Sequence, residues 1–201
     1  MEKIESFFLL VIVLCAFGFS YYYYYMRDEF ELKCIVSTVD GNKYCVRERE
    51  REVEAADKLA RITQKAVELV EYMRQHHGDD PRVKKLVAGF NPKRVNETLP
   101  TSTFTAFSEN KGEKTAFCLN RNSKHDNSTL IDDHTLMFVA IHELSHDMTT
   151  SIGHGEDFWE NFRFLLENAK AAGIHEPRDY KDDPEKYCGM TIHDNPYYDL
   201  K

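Results

Sequence analysis

The five residues from His142 to His146, which read His-Glu-Leu-Ser-His, constrain the fold more than any other part of this 201-residue chain. An apolar run without proline or glycine precedes them and predicts a helix, which Asp132 or Asp133 can cap through a side-chain oxygen. Residues four apart share one face of a helix, so His142 and His146 point the same way. Two such imidazoles can bind a single Zn²⁺, and Glu143 can reach a water molecule on that metal.

A third histidine follows at a position that suits the same metal. Residues 149–153 predict the end of the first helix, and residues 155–159 begin a second one. A helix that stops just before His154 lets the chain turn back, so we predict His154 as the third zinc ligand. Glu160 on the second helix is an alternative third ligand that we rank lower. The competing interpretation is that all three histidines are structural residues with hydrogen-bond partners.

The segment HELSHDMTTSIGHGEDFW resembles the WLM and SprT-like zinc metallopeptidases, whose pattern is HExxH, a variable gap, a third histidine and an acidic-aromatic helix. It also resembles predicted, membrane-anchored metallopeptidases of large DNA viruses. The resemblance covers about residues 130–166. It implies that His142, His146 and His154 bind zinc, and that Glu143 is the general base for a zinc-activated water that hydrolyses peptide bonds. The seven-residue gap before His154 is longer than the metzincin spacing, so the chain is not assigned to that group.

The charge of the chain bears on its substrate. A formal net charge of -8 argues against a general nucleic-acid-binding surface, so no nucleic-acid partner is expected. We expect a protein or peptide substrate instead. We therefore do not expect this chain to act on DNA-crosslinked proteins, which are frequent substrates of the families it resembles. The alternative function is a membrane-anchored binding or scaffold protein with a structural or degenerate zinc site. The intact Glu143 argues against that alternative, because a structural site needs no base.

The N-terminal region contains a long uncharged run. Residues 7–25 carry no charged side chain and end in five tyrosines, and as a helix they would span about 28 Å. Tyrosines suit a membrane interface because they combine an apolar ring with a wet hydroxyl. We interpret residues 1–26 as a single-pass transmembrane anchor. The alternative is a signal peptide cleaved near residues 16–18, which would give a secreted protein.

The side of the membrane stays open at this stage. Lys3 precedes the span, whereas Arg27 and Lys33 follow it, which slightly favours a cytosolic domain. The sequons at Asn96 and Asn127 favour the lumenal side, where alone they would be glycosylated.

Residues 27–46 predict a juxtamembrane hairpin with its turn at residues 40–41. Cys34 and Cys45 flank this turn. A disulfide between them is feasible in an oxidising compartment, but we favour two reduced thiols. The cysteines lack C-x₂-C spacing, so no cysteine-based zinc site is predicted.

We expect residues 47–201 to form an α+β, zincin-like minimal metallopeptidase domain. Apolar periodicity and turn residues predict its elements in order: a long helix over residues 47–77, a short helix over residues 80–90, an extended connector over residues 91–100, an antiparallel hairpin of residues 101–108 and 115–119, the HExxH helix, and a supporting helix over residues 156–172. The charge run that starts at Arg47 is interpreted as a solvated helical face.

Several residues are predicted to support the site. Tyr187 or His193 in the irregular tail could stabilise an oxyanion. Asp147 and Asp157 are near enough in sequence to orient the histidine rings. Met190 could lie beneath the metal, although ordinary core packing is the interpretation that we prefer.

Overall fold

The computed structural model describes the backbone of residues 2–199 and the side chains of residues 6–23 and 32–199. The first helix, α1 (Glu2–Glu31), contains an apolar window over Ser6–Tyr23 with a mean hydropathy of 1.9. The side chains of this window are exposed. By length and composition this helix can cross a membrane, and a signal sequence near an N-terminus has the same properties.

A disulfide-linked hairpin follows the first helix. Strands β1 (Leu32–Val36) and β2 (Lys43–Arg47) pair in antiparallel register, with Cys34 directly opposite Cys45. The two cysteines form a disulfide, with their Cα atoms 3.9 Å apart. Our preference for two reduced thiols is therefore wrong, because direct cross-strand pairing brings the two sulfur atoms together. Gly41 has a φ of 73° in the turn, a conformation that favours glycine.

The long helix begins later than predicted. Helix α2 is Glu52–His77, so Arg47 ends strand β2 instead of starting a helix. Arg47 is 1% exposed and its backbone N–H donates to the carboxylate of Glu97 at 2.8 Å. The charge run is therefore not a solvated helical face, because Arg47 lies in a strand and both Arg47 and Arg49 pair with the buried Glu97.

The central sheet has one strand that the sequence did not predict. Helix α3 (Pro81–Gly89) leads through a 3₁₀ turn into β3 (Val95–Glu97), within the predicted connector. The predicted hairpin is confirmed as β4 (Ala106–Glu109) and β5 (Lys114–Phe117), although its first strand is shorter. The strand order is β3-β5-β4, with β3 parallel to β5. The small sheet is therefore mixed and not purely antiparallel.

Helix α4 (Asp133–Met148) carries the HExxH sequence and lies centrally, in contact with α2, α3, β4, β5 and the following helix α5 (Glu156–Ala171). The tail adds a short hairpin of β6 (Glu185–Tyr187) and β7 (Met190–Ile192), and then α6 (Pro196–Asp199). A second disulfide, Cys118–Cys188, ties this hairpin to the end of β5. The architecture is thus α+β, with the helix that carries the HExxH sequence packed against three helices and two strands of the sheet.

Candidate metal centre

The first two histidines are placed by a well-capped helix. Asp132 is the N-cap, and its side chain accepts a hydrogen bond from the backbone N–H of Thr135 at 2.8 Å. This confirms one of the two predicted caps. The apolar side chains before the motif are buried, which fixes the rotation of α4 about its axis. His142 and His146 then lie one turn apart, with ring centroids 5.1 Å from each other.

The loop after α4 brings His154 close to His142 and His146. The helix ends at Met148, and Gly153 has a φ of 88° just before His154. The Nε2 atoms of His154 and His142 are 3.0 Å apart. One ring nitrogen from each of the three histidines lies within 4.8 Å of the other two. Glu160, the alternative ligand, is exposed and stands outside this group among the residues that the structure describes.

Phe158 forms the floor of the histidine cluster. Its side chain is 0% exposed, and its ring centroid lies 4.8, 4.4 and 4.6 Å from those of His142, His146 and His154. Phe162 lies behind it, 5.2 Å from the ring of His142. These aromatic residues of α5 belong to the core behind the cluster, and they keep water away from that side.

The electrostatic environment keeps the three imidazoles neutral. Burial, together with repulsion from the neighbouring imidazoles, lowers the pKa of His142 to about 3. Burial and the charge of His154 lower the pKa of His146 to about 4, and burial also lowers the pKa of His154. The neutral imidazole is the form that binds a metal, because its nitrogen lone pair is free. Each ring can therefore offer a ligand atom near pH 7.

The spacing of these nitrogen atoms fits one ion. Tetrahedral zinc with Zn–N distances near 2.1 Å holds its nitrogen ligands about 3.4 Å apart. The Nε2 atoms of His142 and His154 are 3.0 Å apart, and all three ligand atoms lie within 4.8 Å of one another. His154 is exposed, so the cluster is open to solvent on one side. The three imidazoles could thus hold one metal ion, and their spacing suits zinc.

Glu143 lies beside the edge strand β4. Its side chain is 5% exposed, and the backbone N–H of Ser108 donates to its carboxylate. Burial and the nearby Asp147 raise the pKa of Glu143 to about 8. The hydroxyl of Ser108 donates to Asp147 Oδ1 at 2.5 Å, and burial raises the pKa of Asp147 to about 6. Two carboxyl groups on one face of α4 therefore share a single serine of β4.

The other predicted supporting residues have different partners. Asp157 accepts from the hydroxyl of Ser151 at 2.8 and 2.7 Å, so it ties the loop to the start of α5. The hydroxyl of the buried Tyr187 donates to the carbonyl of Thr105 at 3.1 Å, and His193 is exposed. Met190 is 49% exposed, so neither a position beneath the metal nor core packing is observed.

Sequence reasoning missed Lys111 as well as Ser108 among the residues that contact the site. Lys111, in the turn between β4 and β5, donates from Nζ to the carbonyl oxygens of His146 and Ser151 at 3.2 and 3.1 Å. A lysine in a polar turn carries no local signal of such contacts, because the acceptors lie 35 and 40 residues further along the chain.

The fold and the cluster define a class of site, a candidate three-histidine metal centre with an adjacent carboxyl group in an α+β domain. No family model matches the chain. An uncharacterized protein of Acanthamoeba polyphaga mimivirus is 28% identical over 170 residues, which are 83% of this chain and 85% of that protein. The relationship therefore extends over most of both chains.

Shorter similarities link the chain to two further viral proteins, both named uncharacterized. One from Invertebrate iridescent virus 3 is 41% identical over 59 residues, or 29% of this chain and 36% of that protein. One from Invertebrate iridescent virus 6 is 29% identical over 83 residues, or 41% of this chain and 44% of that protein. The chain thus matches less than half the length of these two relatives.

The chain is similar to a solved structure, the crystal structure of Wss1 from Saccharomyces cerevisiae. The sequence identity is 17% and the TM-score is 0.46, with 62% of this chain and 86% of Wss1 covered. At that score the likeness of architecture is partial. The assignment of function therefore rests on the geometry of the histidine cluster.

Proposed function

We propose that this protein is a zinc-dependent peptidase in which His142, His146 and His154 bind the metal and Glu143 is the general base. One observation carries the proposal: three neutral imidazoles offer nitrogen atoms within 4.8 Å of one another, and Glu143, which directly follows His142 on α4, has a buried carboxyl group. Half-buried rings such as those of His142 and His146 converge on His154, with the Nε2 atoms of His142 and His154 3.0 Å apart, and a shared cation explains this arrangement of lone pairs better than packing alone.

Each residue around the proposed metal has a separate role in hydrolysis. Zinc at this site would polarise the scissile carbonyl and lower the pKa of a water molecule to near 7. Phe158 closes the cluster from behind, and the N–H of Ser108 holds the carboxylate of Glu143 against β4. From there Glu143 accepts the proton of the attacking water and gives it to the leaving nitrogen. A nearby cation favours the ionised carboxylate, which is the form that a base requires.

The sheet suggests how a substrate chain is held. Strand β4 is an edge strand of its three-stranded sheet and contacts α4. An extended peptide can add to such an edge through backbone hydrogen bonds, which suits a protein or peptide substrate. The net charge of -8 offers no general attraction for nucleic acid.

We further propose that α1 is a single-pass membrane anchor and that the domain faces an oxidising compartment. The apolar window of α1 is exposed, and burying it in lipid would remove that surface from water. Two disulfides, Cys34–Cys45 and Cys118–Cys188, favour an extracytoplasmic side, because reducing compartments keep thiols free. Protease added outside sealed cells should degrade the domain, whereas protection of the domain would contradict this orientation. A secreted product that lacks the window would instead support signal cleavage.

The alternative is a membrane-anchored binding or scaffold protein with a structural or degenerate zinc site. Structural zinc sites are usually closed by four protein ligands, whereas this cluster leaves His154 exposed. The openness of the cluster and the buried Glu143 beside it both favour the peptidase.

The test uses the full chain in detergent micelles with a labelled general protein substrate. Glu143→Gln should retain zinc and lose at least about 10³-fold in hydrolysis, because the base is gone while the ligands remain. His146→Ala should lose both zinc and hydrolysis. Chelator should stop the wild-type reaction and added zinc should restore it. Cleavage by Glu143→Gln at the wild-type rate would refute the role of Glu143, and zinc binding without any cleavage would favour the binding protein.

A further inference from the structure

The turn between β4 and β5 is fixed in place by backbone contacts. Asn110, Lys111 and Gly112 all have positive φ values, of 50°, 58° and 102°. A Cβ added to Gly89 at the end of α3 would lie 2.1 Å from the carbonyl oxygen of Lys111. The N–H of Asn91 also donates to the carbonyl of Gly112 at 2.9 Å. The backbone of α3 and that of the turn therefore touch directly, and the base of the Lys111 side chain has a defined position.

From that position Lys111 connects the two parts of the histidine cluster. Its Nζ donates at 3.2 Å to the carbonyl of His146, within the last turn of α4. It also donates at 3.1 Å to the carbonyl of Ser151, in the loop that leads to His154. The last carbonyl groups of a helix lack helical donors, so an ammonium group there serves as a partner. One side chain thus bridges the helix with two of the histidines and the loop with the third.

The loop depends on hydrogen bonds near Ser151 for its conformation. The hydroxyl of Ser151 donates to Asp157, and Lys85 donates to the hydroxyl of Thr150. Ile152 is 98% exposed, so its side chain contributes almost no packing between these ties and His154. The position of the His154 ring therefore depends on how firmly the backbone at Ser151 is held, in addition to the contact of the ring with Phe158.

We propose that Lys111 is a positioning residue of the metal centre, which holds the loop of His154 at the distance from α4 that one metal ion requires. This inference rests on the proposed zinc site. Groups that orient metal ligands typically change metal affinity by 10- to 100-fold when they are removed.

A second effect of Lys111 acts in the opposite direction. Its positive charge lies close enough to lower the pKa of both His146 and Asp147, and it would also repel a divalent cation. Lys111 is exposed, so water and salt screen that repulsion. The hydrogen bonds to the two carbonyl groups are lost entirely in a Lys111→Met variant. The net result expected is weaker zinc binding.

The test measures zinc affinity of the full chain in detergent by competition with a chromophoric chelator. Lys111→Met should weaken zinc binding about 10-fold, and Lys111→Arg should restore most of it because the donors are kept. Lys84→Met, which changes an exposed lysine of α3, should leave the affinity unchanged. In the metal-free protein, Lys111→Met should speed amide hydrogen exchange over residues 150–154 and leave α4 as protected as in the wild type.

The outcomes separate this inference from the proposed function. If wild type binds zinc and His154→Ala does not, while Lys111→Met binds as tightly as wild type or more tightly, the positioning role is wrong and the peptidase proposal stands. Faster exchange throughout α4 in Lys111→Met would indicate a general structural role and would also overturn the inference. If wild type binds no zinc, both proposals fall together.

Discussion

Two clusters of polar side chains lie against the core of this protein, and they differ in how their polar atoms are satisfied. Around Glu97, the backbone N–H of Arg47 and the guanidinium groups of Arg47 and Arg49 converge on one carboxylate. The side chains of Glu97 and Arg49 are 0% and 1% exposed. Around Phe158, three imidazoles face one another, with the Nε2 atoms of His142 and His154 only 3.0 Å apart.

The difference separates structure from function. The Glu97 cluster combines opposite charges and is completed by partners such as the carbonyl of Thr98, which accepts from Arg47 Nε at 2.6 Å. The histidine cluster combines like groups that repel when protonated, and what would complete it is an external cation. Variants in the first cluster should therefore change stability, and variants in the second should change metal binding and activity.

The largest effect is expected in the histidine cluster. His142→Ala should remove zinc binding and reduce hydrolysis at least about 10³-fold, because two imidazoles alone leave the ion weakly held. The metal-free protein should unfold in urea at nearly the wild-type midpoint or somewhat below it. Metal content, hydrolysis and urea unfolding of the same preparation measure all three quantities. If His142→Ala kept its zinc but unfolded at a much lower urea concentration than the wild type, the histidines would have a structural role like that of the Glu97 cluster.

The Glu97 cluster should show the reverse pattern. Glu97→Gln leaves two buried guanidinium groups without a counter-charge and should cost about 3–5 kcal/mol of unfolding free energy. The molecules that remain folded should hydrolyse substrate normally. Glu54→Gln is the matched control, since Glu54 and Arg51 form a pair with side chains 43% and 52% exposed. That substitution should cost less than about 1 kcal/mol. Equal losses of unfolding free energy in Glu97→Gln and Glu54→Gln would contradict the structural role given to the Glu97 cluster.

The sequence predicted the histidine cluster because its information is local. The helix signal, the capping Asp132 and the spacing of the histidines all lie within one continuous segment, and helix α5 follows directly. The Glu97 cluster was misassigned because its information is distant. Read alone, the alternating charges after Arg47 favour a helix, and only an acid 50 residues further on makes them part of a strand and a turn.

The same limit applies to the sheet and to the second disulfide. Strand β3 consists of three residues after a proline, and it is a strand only because β5 pairs with it in parallel. Cys118 and Cys188 are separated by 70 residues, so spacing alone could not pair them. Local periodicity predicts elements, whereas long-range partners decide which of their polar groups are buried.

The two disulfides allow a further test on the structural side of the comparison, with expected effects in the same range as that of Glu97→Gln or slightly below it. By loop entropy alone, a Cys118→Ser/Cys188→Ser variant should lose about 4 kcal/mol and a Cys34→Ser/Cys45→Ser variant about 3 kcal/mol, because the first loop is longer. Urea unfolding of the two double variants measures the difference. Both should keep their zinc affinity when folded. A loss of zinc binding in the Cys118 variant alone would mean that the tail hairpin also supports the metal centre.

The smallest effect concerns another buried histidine, which lies outside both clusters. His175 is 4% exposed and its ring is 4.4 Å from that of His134. Burial, with the charges of His134, Lys65 and Arg178, lowers the pKa of His175 to about 3. The unfolded chain binds this proton near pH 6.5, so the neutral form stabilises the fold above that pH. That contribution is lost progressively as the pH falls from about 6.5 toward 3.

At pH 5 the expected loss from His175 is about 2 kcal/mol relative to pH 7. His175→Leu, which cannot be protonated, should therefore reduce the difference in unfolding free energy between pH 7 and pH 5 by about that amount. The measurement is urea unfolding of the metal-free protein at both pH values, with and without the substitution.

His142 and His146 also have lowered pKa values, so a part of the acid sensitivity should remain in the variant. Saturating zinc should increase that remainder, because protons compete with the metal for the same nitrogen atoms. Acid sensitivity that disappears completely in His175→Leu would mean that the pKa values of His142 and His146 are not lowered in the folded protein, and would contradict the neutral imidazoles of the proposed metal centre.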